Sequence, residues 1–133
     1  KLPYSVVQFL AQGNLSLSIP GLVDLKGLSH DPQVAIDYRN DKNNCLKLHT
    51  KLVLNLLKGV KEIYSRPISP KCPAYITVGT KDEVVSYKTN VSYFRDIEKD
   101  FIFKEFEGAM HEIHNEISTY RGPFIKYLQE ILA

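Results

Sequence analysis

Two short apolar runs set the tightest limit on the fold. Ala74–Val78 reads Ala-Tyr-Ile-Thr-Val between Pro73 and Gly79, and Phe101–Phe106 reads Phe-Ile-Phe-Lys-Glu-Phe. The first has the pattern of a strand buried on both faces. Between them, Val85 to about Ile97 is predicted helical, and Gly122-Pro123 is predicted to open a last helix carrying Phe124, Ile125, Leu128, Ile131 and Leu132. Strand, helix, strand, helix implies a parallel sheet with helices on its faces. Two parallel strands alone leave bare faces and unpaired backbone edges. Residues 69–133 are therefore expected to be the last two strands of a larger α/β sheet.

Residues 1–68 read differently, as a helical insertion or cap. Tyr4–Gln12 and Leu46 to about Tyr64 show helical spacing of apolar residues, and Leu15–Ile19, ended by Pro20-Gly21, reads equally as an alternating strand or an extended cap segment. Ser29-His30-Asp31-Pro32 predicts a turn with Pro32 at a first helical position. Arg39–Asn44 is polar and expected to be a loop.

Composition narrows the class. With 44% hydrophobic and 24% charged residues the chain is an ordinary globular domain rather than a disordered one. No apolar run approaches the roughly 18 residues of a membrane span. The net charge of +2 comes from interleaved signs with no basic arm, so a nucleic-acid partner is not expected. Cys45 and Cys72 form neither a disulfide framework nor zinc spacing, so no metal or other cofactor is expected. Reduced, partly buried thiols in an intracellular protein are the expected state of both. The start at Lys1-Leu2-Pro3-Tyr4 has no signal-peptide organisation and suggests a chain that was cut or begins internally.

Chemistry is expected at the carboxyl ends of the strands, where open α/β sheets build their sites. Asp82, in Gly79-Thr80-Lys81-Asp82-Glu83-Val84-Val85, follows the first strand; by itself it also reads as a turn or N-cap aspartate. His111, in Phe106-Glu107-Gly108-Ala109-Met110-His111, follows the second. Adjacent parallel strands would bring the two together. A carboxylate that accepts Nδ1–H fixes the imidazole tautomer and stabilises the imidazolium, leaving Nε2 to take a proton. In α/β-hydrolases the catalytic order along the chain is Ser, acid, His, with the serine in Gly-x-Ser-x-Gly. No serine here has that context. Gly27-Leu28-Ser29-His30-Asp31 comes nearest, but Asp31 stands where the second glycine should be and Pro32 follows. Ser29 is therefore read as a decoy.

On these residues the chain resembles the C-terminal half, cap included, of a monoacylglycerol lipase or lysophospholipase-like α/β-hydrolase. The likeness rests on Leu28-Ser29-His30-Asp31-Pro32 with Val34, Tyr38 and Asp41, and on Gly79–Val85. It rests most specifically on Phe106-Glu107-Gly108-Ala109-Met110-His111-Glu112-Ile113-His114-Asn115-Glu116. The resemblance implies Asp82 as the triad acid and His111 as the general base, with His114 structural. Thr80 and Val84 depart from the usual Ser and Leu without touching the proton path. It also implies an apolar acyl tunnel in the cap, for which Val7, Leu10, Leu17, Leu52 and Leu56 are candidates; packing of the cap is the alternative use for them. The implied substrate is a lipid or small ester, the implied partner is the missing N-terminal half, and a peripheral membrane contact would suit the cap. A cytoplasmic or membrane-peripheral location follows. Without its serine the chain alone is expected to be inert. Two alternatives stay open: a non-catalytic interaction module with this fold, and a hydrolase of amides or thioesters.

Overall fold

The computed structural model describes Ser5, Phe9, the backbone of residues 18–20, and residues 24–133. The expected helix over Tyr4–Gln12, the run Leu15–Leu17, and the tunnel candidates Val7, Leu10 and Leu17 lie outside the described residues. The chain divides into two compact units, 1–23 with 42–68 and 24–41 with 69–133. Residues 24–41, read from the sequence with the cap, thus have their contacts among the strand-bearing residues.

In the first unit β1 (Ser18–Pro20) pairs antiparallel with β2 (Lys47–His49), with Ile19 opposite Leu48. The helix expected from Leu46 therefore begins later: Lys47–His49 are drawn into the ladder, and α2 spans Thr50–Ile63. Its strong apolar periodicity places Leu52, Leu56, Val60 and Ile63 along one stripe, all about half exposed.

The second unit holds the expected parallel pair. β3 (Ala74–Gly79) lies in register with β4 (Phe101–Phe106), from Ala74 opposite Phe101 to Gly79 opposite Phe106. The crossover is α3 (Tyr87–Ser92), capped by Ser86, which continues into a single π-helical turn, Tyr93–Ile97, closed by Glu98 N–H on the Tyr93 carbonyl. Side chains alternate across β4 as the pleat requires. Phe101 and Phe103 meet Phe94 from the crossover. On the other face Phe106 meets Phe124 and Tyr127 of α4 (Ser118–Leu132) at ring-centroid distances of 5.4 and 5.9 Å. Phe106, Ala109 and Ile113 form the buried core beneath that helix.

Three expectations are corrected. Cys45 and Cys72, expected to be partly buried, are both exposed. The strands are not covered throughout on both faces: Tyr75 and Ile102, opposite each other in the register, are exposed, because the aromatic residues of α4 cover mainly the carboxyl ends of the strands. The last helix starts at Ser118, not at Gly122-Pro123. Arg121 N–H already bonds to the Ile117 carbonyl, so Pro123 sits inside the helix, where it removes one backbone bond near the N-terminal end. The turn before α1 (Pro32–Asn40) is as expected, with Asp31 accepting from Gln33 N–H and Pro32 in the first turn.

Candidate active site

Equal strand endings place the two loops side by side. Beyond Gly79 and Phe106 the chains continue to bond each other: Thr80 N–H donates to the Phe106 carbonyl, Lys81 N–H to the Ala109 carbonyl, and Gly108 N–H to Thr80 Oγ1 at 2.8 Å. Thr80 lies off the proton path, yet it stitches the two tips together. Gly79 is needed for this approach, since a Cβ there would stand 2.2 Å from the Ala109 carbonyl oxygen. Gly108 turns with φ +76°, and a Cβ on it would meet the Tyr120 ring at 2.8 Å.

The stitched loops bring the proposed acid and base into contact. His111 Nδ1 lies 2.9 Å from Asp82 Oδ2. The other oxygen, Oδ1, accepts Val84 N–H and Val85 N–H, both at 2.9 Å. Asp82 is thus a turn aspartate and a histidine partner at once, one oxygen for each task. The Asp82 side chain is 6% exposed and that of His111 33%. A sheltered acid beside a base still open to solvent is the arrangement a general base requires. The carboxylate accepts, so Nδ1 carries the proton and Nε2 is free to take another. His114 is exposed in the 3-10 turn Ile113–Asn115, and the carboxylate of Asp82 is committed to His111 instead.

A second histidine–carboxylate pair lies nearby. His30 Nδ1 is 2.8 Å from Glu116 Oε1, with Glu116 0% and His30 23% exposed at the side chain. The His30 ring stacks on Tyr120 at 4.7 Å. Glu116 also accepts Met110 N–H at 2.8 Å, His30 N–H at 3.0 Å, and Ser29 Oγ–H and Ile117 N–H at 3.2 Å. Ser29 is a buried hydroxyl that shares its proton between Glu116 and the Asn115 carbonyl and accepts from Asp31 N–H. In the sequence Glu116 stands out only as the end of the motif that carries His111. No local pattern marks it, because its partners Ser29 and His30 are 87 and 86 positions away.

Burial is the largest single influence on the Glu116 carboxyl and acts to raise its pKa. The Met110 amide and the ring and amide of His30 outweigh it and hold the group below its ordinary 4.5. A depressed pKa means stability that is complete above the ordinary value and lost as pH falls through the folded one. Thermal unfolding is therefore expected to show wild type losing its advantage over Glu116→Gln as pH falls from above the ordinary 4.5 to well below it. A constant difference in Tm over that range would contradict this.

Of the tunnel candidates within the described residues, Leu52 and Leu56 lie on the exposed stripe of α2. Among the described residues no group of three His, Cys, Asp or Glu side chains is arranged to hold a metal ion, and no helix is long and apolar enough to cross a membrane.

Parallel strands joined by a helical crossover, with an acid and a histidine in hydrogen-bond contact at their tips, belong here to an α/β-hydrolase fold. A family model described as serine aminopeptidase, S33, matches residues 2–118, and the chain belongs to that hydrolase family. Among solved structures it is similar to the monoacylglycerol lipase of Paleococcus ferrophilus, with TM-score 0.77 and 24% identity over 96% of this chain and 52% of that one. It is also similar to a soluble variant of the monoglyceride lipase of Saccharomyces cerevisiae, solved in complex with a substrate analog. There the TM-score is 0.74, with 19% identity over 95% of this chain and 46% of that one. The chain thus spans about half the length of each lipase. No curated protein matches its sequence.

Proposed function

We propose that this chain supplies the acid and base of a serine hydrolase that cleaves carboxylic esters, with monoacylglycerols or lysophospholipids as substrates. The serine is assigned to a part of the protein outside these 133 residues. The contact of 2.9 Å between His111 Nδ1 and Asp82 Oδ2 at the strand tips carries the reading. His111 Nε2 takes the serine proton as the hydroxyl attacks the acyl carbonyl, and returns it to the departing alcohol. The same nitrogen then deprotonates a water that attacks the acyl-enzyme, and a fatty acid leaves with the serine restored. Asp82 holds the tautomer throughout. The lipid class draws support from the likeness to two lipases and from the apolar stripe Leu52, Leu56, Val60 and Ile63, which also suits contact with a lipid surface.

A fluorophosphonate probe is expected to label the full-length protein, and His111→Ala to abolish labelling. Undiminished labelling of that variant would remove His111 from the mechanism. The 133-residue chain alone is expected to turn over no ester. If the full-length protein has no Gly-x-Ser-x-Gly and takes no label, the non-catalytic module is the correct reading. The family description favours a second reading, hydrolysis of an amide at a peptide N-terminus. Parallel assays with a monoacylglycerol and an aminoacyl anilide separate the two, and preference for the anilide by kcat/KM would overturn the ester assignment.

A further inference from the structure

We infer that Glu116, with His30, is a positioning element for the general base, holding the loop before and after His111 so that the imidazole stays on Asp82. The inference rests on the role proposed for His111. It starts from three consecutive backbone amides. Met110 N–H donates to Glu116 Oε1 at 2.8 Å, His111 N–H to the Gly27 carbonyl at 3.5 Å, and Glu112 N–H to the Leu28 carbonyl at 2.8 Å. Both of those carbonyls belong to the segment running into Ser29 and His30, and Glu116 grips that segment through Ser29 Oγ, His30 N–H and His30 Nδ1. One buried carboxylate therefore anchors the residue before the base, the residue after itself, and the strip of backbone on which the base rests.

The opposite side of the loop is tied to the acid. Gly108 N–H bonds to Thr80 Oγ1 and the Ala109 carbonyl accepts Lys81 N–H, one residue before Asp82. The base loop is thus held from two sides, and the bond from His111 Nδ1 to Asp82 depends on both. Tyr120 completes the frame: its ring packs against Gly108 on one side and stacks on His30. None of the hydrogen bonds of Glu116 goes to Asp82 or the His111 ring, so it acts through the backbone and not on the proton.

Glu116→Gln preserves shape but places an amide NH2 where one oxygen stood. Either orientation turns that NH2 toward at least one backbone N–H, Met110 on one side or His30 and Ile117 on the other. His30→Phe keeps an aromatic ring to stack on Tyr120 and removes the bond of 2.8 Å to Oε1. Two readouts on the full-length protein test the inference: the deshielded Nδ1 proton of His111 by NMR, assigned through its loss in Asp82→Asn, and the rate of fluorophosphonate labelling.

In Glu116→Gln the Nδ1 resonance is expected to shift or broaden and labelling to slow on the order of tenfold to a hundredfold, as displacement of a reacting group requires. His30→Phe is expected to change both in the same direction but less. Where Glu116→Gln does not fold, His30→Phe carries the test. A folded variant with an unmoved resonance and wild-type labelling would overturn the positioning role while leaving the proposed function intact. Wild type that takes no label, with a resonance that still moves in the variants, would strike the proposed function and leave the hold on His111 standing.

Discussion

Asp82→Asn is expected to slow ester hydrolysis by the full-length protein on the order of ten-thousandfold in kcat, with little change in Tm. The asymmetry of the Asp82 bonds gives the reason. Oδ1 accepts two backbone amides, Val84 and Val85. An asparagine would keep its carbonyl oxygen there, so the turn survives. Its NH2 would then occupy the place of Oδ2, facing His111 Nδ1. Two donors cannot bond, so Nδ1 must become the acceptor and the ring proton must move to Nε2. The nitrogen that should take the serine proton is then already protonated. A steady-state kcat within tenfold of wild type would remove Asp82 from the mechanism.

Gly79→Ala is expected to be the most disruptive small substitution. The added Cβ would lie 2.2 Å from the Ala109 oxygen, 2.4 Å from the Met110 oxygen and 2.6 Å from the Ala109 carbonyl carbon. All three are backbone atoms, so no rotamer change relieves the overlap, and the end of β3 must separate from the loop that carries His111. The cost is on the order of 3 kcal/mol, a fall in Tm of roughly 10 °C or more. Lys81 N–H would lose the Ala109 carbonyl, and Asp82 would be drawn away from His111. Gly27→Ala is the control. Its Cβ would meet Val84 Cγ2 at 3.5 Å, an ordinary contact, and near-wild-type stability is expected. Thermal unfolding of the two variants side by side checks both statements; equal Tm values would refute the steric argument.

The aspartate–histidine pair is legible because it depends on short-range arithmetic. Each residue follows its strand by a few positions, and parallel neighbours end together, so Asp82 and His111 were placed by strand endings alone. Asp31 and Pro32 were legible for the same reason, since a cap is a matter of adjacent residues. Helix boundaries were less so. Lys47–His49 satisfy a helical period but pair with Ser18–Pro20, and a backbone ladder to a distant segment overrides local preference. Ser118 starts the last helix because Ile117 supplies carbonyl partners to Tyr120 and Arg121, whereas Gly122-Pro123 looked like a start only by composition.

By itself the sequence determines the strand, helix, strand, helix order of residues 69–133 and the placing of an aspartate and a histidine at the strand tips. These follow from period, spacing and local turn chemistry, which act over a few residues. Only the tertiary structure decides that residues 24–41 pack with 69–133, that Gly79 must lack a side chain, and that Glu116 joins donors of its own loop to those of the distant residues 29 and 30. Those depend on which atoms meet when distant parts of the chain close together, and a buried carboxylate takes whichever donors that closure brings within 3 Å or so.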